Sequence, residues 1–279
     1  MTIVVIGAST GPGRRLFENL RDSGRQVVGI ARQQRDLETS GHAEFLSLDA
    51  SNAQALHARL NASDTLVHCS RPEILTGLLA FRPRLSRIIA LGSTRVYTRY
   101  PDDKCARVAA MSHALWMQDI PATILHPTMI YGAPGLNNIE RVAVIARRFP
   151  LIPLPAGGDS LIQPVHVQDV VDAILACLDD NSTNGRTMII PGGSALTYRT
   201  FIEDCIEFAG AECRVVSMPY WLISMLGWIA TALPFLPAIR QDEIRRLLED
   251  KAFDAADATR LLGRKPLAFG EGLNLLKST

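Results

Sequence analysis

The chain has 279 residues, 47% of them hydrophobic, and a formal net charge of +1. That length gives one large domain, or one domain with a small appendage, and enough apolar residues to fill a core. The near-neutral charge excludes recognition of nucleic acid by bulk electrostatics. The five cysteines are odd in number and contain no C-x-x-C, which argues against a disulfide framework or a zinc site and for reduced thiols in the cytoplasm. The N-terminus lacks a basic region followed by an apolar stretch, so no signal peptide is expected.

In chain order, "TIVVIG" (2–7) is a short apolar run suited to a strand buried on both faces. "GRRLFENLRDSG" (13–24) spaces Leu16, Phe17 and Leu20 as a helix does and stops at Gly24. Strands follow at 26–32, 43–50, 64–70 and 87–94, with "EILTGLLAF" a short helix between the last two. "CARVAAMSHALWMQ" (105–118) is a helix, "PATILHPTMIYG" (121–132) a sixth strand and turn, 139–149 and 166–180 helices, and "RTMIIPG" (186–192) a late strand. Alternation of strand and helix with short connections predicts an α/β fold, a Rossmann-like doubly wound parallel sheet with a small, mostly helical C-terminal substrate region. The expected division is a dinucleotide-binding core over 1–160, then a mixed segment that completes the sheet (161–192) and forms the C-terminal region (193–279).

"VVIGASTGPGRRL" places Gly7, Gly11 and Gly13 between a strand and a helix. A dinucleotide pyrophosphate sits on such a helix N-terminus, where backbone N–H groups and the helix dipole favour negative charge. Ser9, Thr10, Pro12 and Arg14 belong to the same turn. The second strand ends in "ARQQR", where a carboxylate would favour NAD and an arginine the 2′-phosphate of NADP. Arg32, with Arg14 or Arg35 adding charge, points to NADP over NAD. Asp49 and Ala50 are expected at the adenine edge, and Cys69 and Ser70 beside the ribose.

"GASTGPG", "LDA" after the third strand, "LGSTRVY" at the fifth and "HPTMIYG" at the sixth resemble the short-chain dehydrogenase/reductase superfamily. "QPVHVQDVVDAI" resembles its extended branch, which includes nucleotide-sugar epimerases and dehydratases. The C-terminal "LLEDKAFDAADATRLLGRKPLAFGEGL" is similar to the ending of atypical members, among them relatives of the NADPH-holding accessory subunit of respiratory complex I. The resemblance implies a Y-x-x-x-K pair after the fifth strand and a Ser or Thr at that strand's end. A lysine ammonium would lower the tyrosine pKa and hold the nicotinamide ribose, the tyrosine would exchange a proton with the substrate oxygen, and the hydroxyl would orient that oxygen. Tyr100 and Lys104 fit the spacing, with Ser93 or Thr94 as the hydroxyl.

Two features depart from that pattern. Thr94 and Tyr100 are only six residues apart, so the loop that shapes a sugar pocket is missing, and Pro101 follows the tyrosine, making Tyr100 a helix cap. The other reading of "RYPDDK" is therefore a polar turn opening a helix, with Asp102 and Asp103 complementing its dipole. Pro127, Thr128 and Met129 are expected to wall the nicotinamide. Tyr97, His126 and Gln163 are the substrate candidates, although His126, with no paired acid or metal partner nearby, reads first as a satisfied histidine at a strand end. Gln163 stands where sugar-nucleotide members often carry arginine, which weakens a sugar-nucleotide substrate. His166 and Asp169 are expected to cap the following helix.

Residues 215–239 carry no charge between Arg214 and Arg240. Pro219, Pro234 and Pro237 bracket about 14 helical residues, fewer than the roughly 20 a bilayer span requires. Three readings stand: a helix closing over an apolar ligand, a membrane-surface or hydrophobic-partner contact through 218–237, and a true span. Arg240, Arg245 and Arg246 just after this stretch fit a membrane-surface rim, and equally a solvated helix face, since "RQDEIRRLLEDK" has mixed charge. Three functions stand: an NAD(P)-dependent oxidoreductase, with NADP favoured, acting on a small or apolar carbonyl or alcohol and epimerase-like in architecture; a catalytically silent NADPH-binding scaffold or sensor docking to a membrane or protein partner; and, as the resemblance implies, a nucleotide-sugar epimerase or dehydratase. Relatives often dimerise through helices after the fourth and fifth strands, so an oligomer is a further expectation.

Overall fold

The computed structural model describes residues 2–9, 11–34, 37–133, 136, 138–219, 221–222 and 245–277. Seven strands form one parallel sheet: β1 (Ile3–Ile6), β2 (Val27–Ala31), β3 (Ala43–Ser47), β4 (Thr65–His68), β5 (Arg87–Leu91), β6 (Ala122–Pro127) and, later in the chain, β11 (Arg186–Ile190). Their order is β11-β6-β5-β4-β1-β2-β3. Every residue of β1, β4, β5 and β6 is buried because helices cover both faces, which explains the all-apolar β1 and the apolar centres of the other three, whose buried polar residues Thr65, His68, Arg87, Thr123 and His126 lie among them.

Alternate side chains divide the core. Ile3, Val5, Val67 and Ile89 face α1 (Gly11–Asp22) and α6 (Val167–Asp179), packing on Leu16, Phe17, Leu20, Val170 and Ile174. Val4, Ile6, Leu66 and Ile88 face α2 (Ala53–His57), α3 (Pro72–Leu79) and α4 (Asp103–Trp116), packing on Leu56, Leu75, Leu78, Met111 and Leu115. Each such buried side chain contributes about 1.5–3 kcal/mol of transfer free energy.

A third cluster lies beyond β6. It joins α5 (Asn138–Arg148) and β8 (Leu151–Pro155) to α7 (Tyr198–Phe208) and α9 (Phe269–Lys277) through Ile139, Val142, Leu154, Phe201, Phe269 and Leu273. β8 pairs in parallel with β13 (Arg214–Met218), and shorter pairs join β7 (Ile130–Tyr131) to β10 (Val165–His166) and β9 (Leu161–Ile162) to β12 (Leu196–Thr197). The β8–β13 pairing was not expected from the sequence. α8 (Ala256–Leu262) lies on the α6 face, where Ala258 is fully buried.

Asp169 fastens the C-terminal segment. The expected cap role is corrected: its carboxylate is fully buried, accepts the Leu267 N–H at 2.8 Å and pairs with Arg264 at 2.7 Å. His166 does cap α6, its Nδ1 accepting from Gln168 N–H at 3.2 Å.

Candidate functional site

The strand order reverses at β1, whose neighbours are β4 and β2, so a crevice opens outside the carboxyl ends of β1 and β4. The glycine turn fills it. Gly7 has φ +88°, and a Cβ there would stand 2.7 Å from the Cys69 carbonyl oxygen. A Cβ on Gly13 would stand 2.3 Å from the Gly7 carbonyl oxygen. Only glycine lets helix and strand approach this closely. Pro12 lies in the first turn of α1, a turn without acidic residues, so its N-terminal field is not cancelled locally. This cradle fits a pyrophosphate. Arg14 donates to Glu18 at 2.9 Å along the helix. Thr10 and Arg35 lie outside the described residues.

On one side of the turn is a cleft of about 390 Å³, walled by Gly7 and Ser9, by Arg32 and Gln33 after β2, by Asp49 and Ala50 after β3, and by Ser70, Arg71 and Ile74 after β4. Asp49 accepts from the Ser51 hydroxyl at 2.8 Å and N–H at 3.0 Å. Those bonds, with Arg32 and Arg71 nearby, hold its carboxyl below the usual range. Cys69 does not line this cleft. Its carbonyl backs Gly7, and burial pushes its thiol up to about 12. Gln33, Arg71 and Ile74 were not expected. The one sequence signal for Arg71 is its place directly before Pro72, the proline that opens α3.

On the other side is a second cleft, about 440 Å³. A 3₁₀ turn, Thr94–Tyr97, follows β5 and supplies Ser93, Thr94, Arg95, Tyr97, Thr98 and Arg99; Thr128 and Met129 come from the exit of β6. Ser93 caps the turn, its hydroxyl accepting from Arg95 N–H at 3.2 Å while its own N–H donates to His126 Nδ1 at 3.0 Å. Thr94 donates to the Pro127 carbonyl at 3.3 Å, and Thr128 to the Gln163 carbonyl. His126 is buried, and that burial lowers its pKa to about 4. Tyr97, itself 49% exposed, stands edge-on to the His126 ring, centroids 5.7 Å apart, and partial desolvation raises the phenol's pKa.

Tyr100 and Lys104 are both exposed, and neither lines either cleft. Tyr100 is not the helix cap. Asp102 is, accepting from Cys105 N–H at 3.0 Å, and α4 begins at Asp103. The i,i+4 rule for a shared face holds only within a helix, and Tyr100 precedes this one.

The far wall comes from residues 246–253. Arg246 at 2.6 Å and Arg95 at 2.9 Å both donate to Asp102, whose carboxyl is held well below the usual range, chiefly by Arg95. Glu249, 9% exposed, accepts from the Thr98 hydroxyl at 2.6 Å and from Arg99 N–H. Asp250 accepts from Leu161 N–H at 2.8 Å. The Lys251 ammonium donates to the Arg246 carbonyl, and burial lowers its pKa. Gln163 is committed elsewhere than the cleft: its amide donates to the Gly192 carbonyl and accepts from Phe253 N–H, each at 2.8 Å. The expected mixed-charge solvated face is thus corrected for the described part, since Arg246 and Glu249 lock onto the turn. No sequence signal marked this strap, because its partners lie some 150 positions away.

Of the stretch 218–237, only Met218, Pro219, Trp221 and Leu222 are described, so the partner-contact expectation falls largely outside the described residues. Trp221 is 66% exposed. Among the described residues, no helix is long and apolar enough to cross a membrane, and no group of three or more His, Cys, Asp or Glu is arranged to hold a metal.

No protein-family model matches the chain. The uncharacterized protein YbjS of Escherichia coli (strain K12) is 26% identical, over 98% of this chain and 96% of its own length. The mitochondrial NADH dehydrogenase (ubiquinone) 1 alpha subcomplex subunit 9 of Arabidopsis thaliana is 22% identical, over 88% of this chain and 69% of its own. Among solved structures, a nucleoside-diphosphate-sugar epimerase from Staphylococcus aureus superposes with a TM-score of 0.76 at 16% identity, covering 98% of this chain and 99% of that one. A UDP-glucuronic acid 4-epimerase from Bacillus cereus in complex with NAD gives 0.72 at 16%, covering 100% and 97%. At such identities the likeness is one of fold.

Proposed function

On the nucleotide-sugar epimerase/dehydratase fold of the extended short-chain dehydrogenases and reductases, we propose that this chain binds NADP and interconverts a small or apolar carbonyl and its alcohol. The observation that carries the reading is the meeting of Ser93, Thr94 and Tyr97 with Thr128 and Met129 in one cleft, at the same sheet edge as the glycine cradle. Gly7, Gly11 and Gly13 would hold the pyrophosphate on α1, and Ser9, Asp49, Ala50 and Ser70 the adenosine half, with Arg32 on the 2′-phosphate. Pro127, Thr128 and Met129 would wall the nicotinamide. When bound, the nicotinamide supplies or accepts the hydride at the carbonyl carbon.

The chain's own groups handle the proton. Tyr97 lines the cleft, whereas Tyr100 does not, so the acid/base role is proposed for Tyr97. In the reductive direction its hydroxyl donates a proton to the carbonyl oxygen as that oxygen gains charge, and the phenolate recovers a proton from water. Ser93 and Thr94 orient the oxygen. His126, neutral, holds the Ser93 backbone and backs the Tyr97 ring. The five free cysteines fit a reducing, cytoplasmic compartment.

A second reading is favoured by one observation: Tyr100 and Lys104 stand outside the cleft. A chain without that pair would hold NADPH and dock to a partner without turnover.

The test joins NADPH titration by nicotinamide fluorescence to turnover on a panel of carbonyls, alcohols and nucleotide sugars. Tyr97→Phe is expected to lower kcat about 100-fold or more while leaving the NADPH Kd unchanged, and Tyr100→Phe to leave both unchanged. Turnover that survives Tyr97→Phe overturns the acid/base assignment. NADPH binding without turnover on any substrate favours the scaffold, and turnover confined to nucleotide sugars an epimerase or dehydratase.

A further inference from the structure

We propose that Arg71 is a second recognition residue for the 2′-phosphate of NADP, closing on that group with Arg32 from the opposite bank of the adenosine cleft. The inference rests on the NADP reading above and adds a residue that the end of β2 does not supply.

Arg32 follows β2 and Arg71 follows β4, with β1 between them. Two strand spacings, about 9–10 Å, separate the strands that the two residues follow. That is a gap two arginine side chains reaching inward can close on one small anion. Both residues are exposed, and both line the cleft. Among the described residues, neither guanidinium makes a hydrogen bond or an ion pair. Arg71 is the residue before α3, yet its side chain makes no capping bond, and Pro72 behind it fixes its backbone in an extended conformation, φ −65° and ψ 137°. The arm is anchored at its base; its charge acts on Asp49 and on Glu73 without a direct bond to either, and Glu73 is itself paired with Arg107 at 2.7 Å.

Charge decides that one arginine does not suffice. Asp49 lies on the floor of the same cleft, and both guanidiniums lower its carboxyl pKa. With Arg32 alone, one cation faces one carboxylate and the cleft offers no net attraction to a phosphate monoester, which carries about −1.5 to −2. Adding Arg71 leaves net positive charge and a second planar donor fork matched to phosphate oxygens. Asp49 then repels a misplaced phosphate and holds it toward the two arginines.

The experiment measures Kd for NADPH and for NADH by nicotinamide fluorescence, on wild type, Arg71→Gln, Arg32→Gln and the double variant. Thermal melting on each checks folding, which an exposed side chain should not alter. Arg71→Gln is expected to weaken NADPH about 10–100-fold and NADH less than about 2-fold, the loss of charge-assisted bonds to one phosphate. The double variant should bind both dinucleotides about equally. Equal loss of NADPH and NADH in Arg71→Gln overturns the proposal and makes Arg71 a platform for the adenine or the pyrophosphate. Wild type that binds NADH as tightly as NADPH overturns the two-arginine clamp while leaving the dinucleotide site standing. Wild type that binds neither overturns the cofactor reading, and this proposal with it.

Discussion

Acidification should loosen the turn that carries Ser93 before it unfolds the sheet. His126 is 3% exposed, and its Nδ1 accepts the Ser93 N–H at 3.0 Å. Protonating Nδ1 would set two hydrogens against each other and place a charge where water cannot reach. Burial accordingly lowers the pKa to about 4 from the ordinary 6.5. In the unfolded chain the ring titrates near 6.5. Below that pH the unfolded state takes up a proton that the folded state refuses, so stability falls from about pH 6.5 and the loss is complete once pH drops below about 4. A gap of about 2.5 units at 1.36 kcal/mol per unit bounds the loss near 3 kcal/mol, of which about 2 kcal/mol falls between pH 7 and pH 4.5. His68, fully buried and lowered to about 4, titrates in the same window, so the comparison must isolate one ring. Urea unfolding followed by circular dichroism, at pH 7.0, 6.0, 5.0 and 4.5, would compare wild type with His126→Asn, whose amide oxygen can accept the same N–H without titrating. The variant should lose about 2 kcal/mol less over that range. An identical pH dependence, or an NMR titration of His126 centred near 6.5, would refute the reasoning.

Gly13→Ala puts a methyl 2.3 Å from the Gly7 carbonyl oxygen, so backbone must move. The expected cost is about 1–3 kcal/mol in unfolding free energy, with NADPH affinity reduced at least about tenfold because the pyrophosphate cradle distorts. Native stability together with native affinity would show that the turn has slack. Glu249→Ala removes a buried carboxylate that accepts from Thr98 and from Arg99 N–H, at an expected cost of about 2–4 kcal/mol. Limited proteolysis should then cut within 245–254 faster than in wild type, and an unchanged cutting rate would mean the strap is held by its other bonds alone.

The doubly wound sheet was legible because its signal is local. A strand covered on both faces is apolar over most of its length, as in "IVVI" and the centre of "TLVH", and a helix resting on it must repeat near 3.6 residues, as Leu16, Phe17 and Leu20 do. The glycine turn was legible for the same kind of reason, a close approach between neighbours in sequence. Much of the lining of the first cleft followed, since residues at strand exits converge on one edge: Gly7, Ser9, Arg32, Asp49, Ala50 and Ser70 all stand there.

The second cleft was not legible in that way. The spacing of Tyr100 and Lys104 matches a helical pair, but the Asp102 cap starts α4 three residues too late for both to share its face. Tyr97 reaches the cleft instead, because the 3₁₀ turn carries it onto His126. Sequence by itself determined the sheet, the order of its elements and the place of the phosphate cradle, all consequences of hydrophobic period and glycine sterics over a few residues. Tertiary structure alone decided which side chains face one another. Arg71 and Arg32 line one cleft from either side of β1, and Glu249 meets Thr98 from the far end of the chain. A contact between segments far apart in sequence is set by how packed elements close on each other, and neither segment carries a local pattern that names its partner.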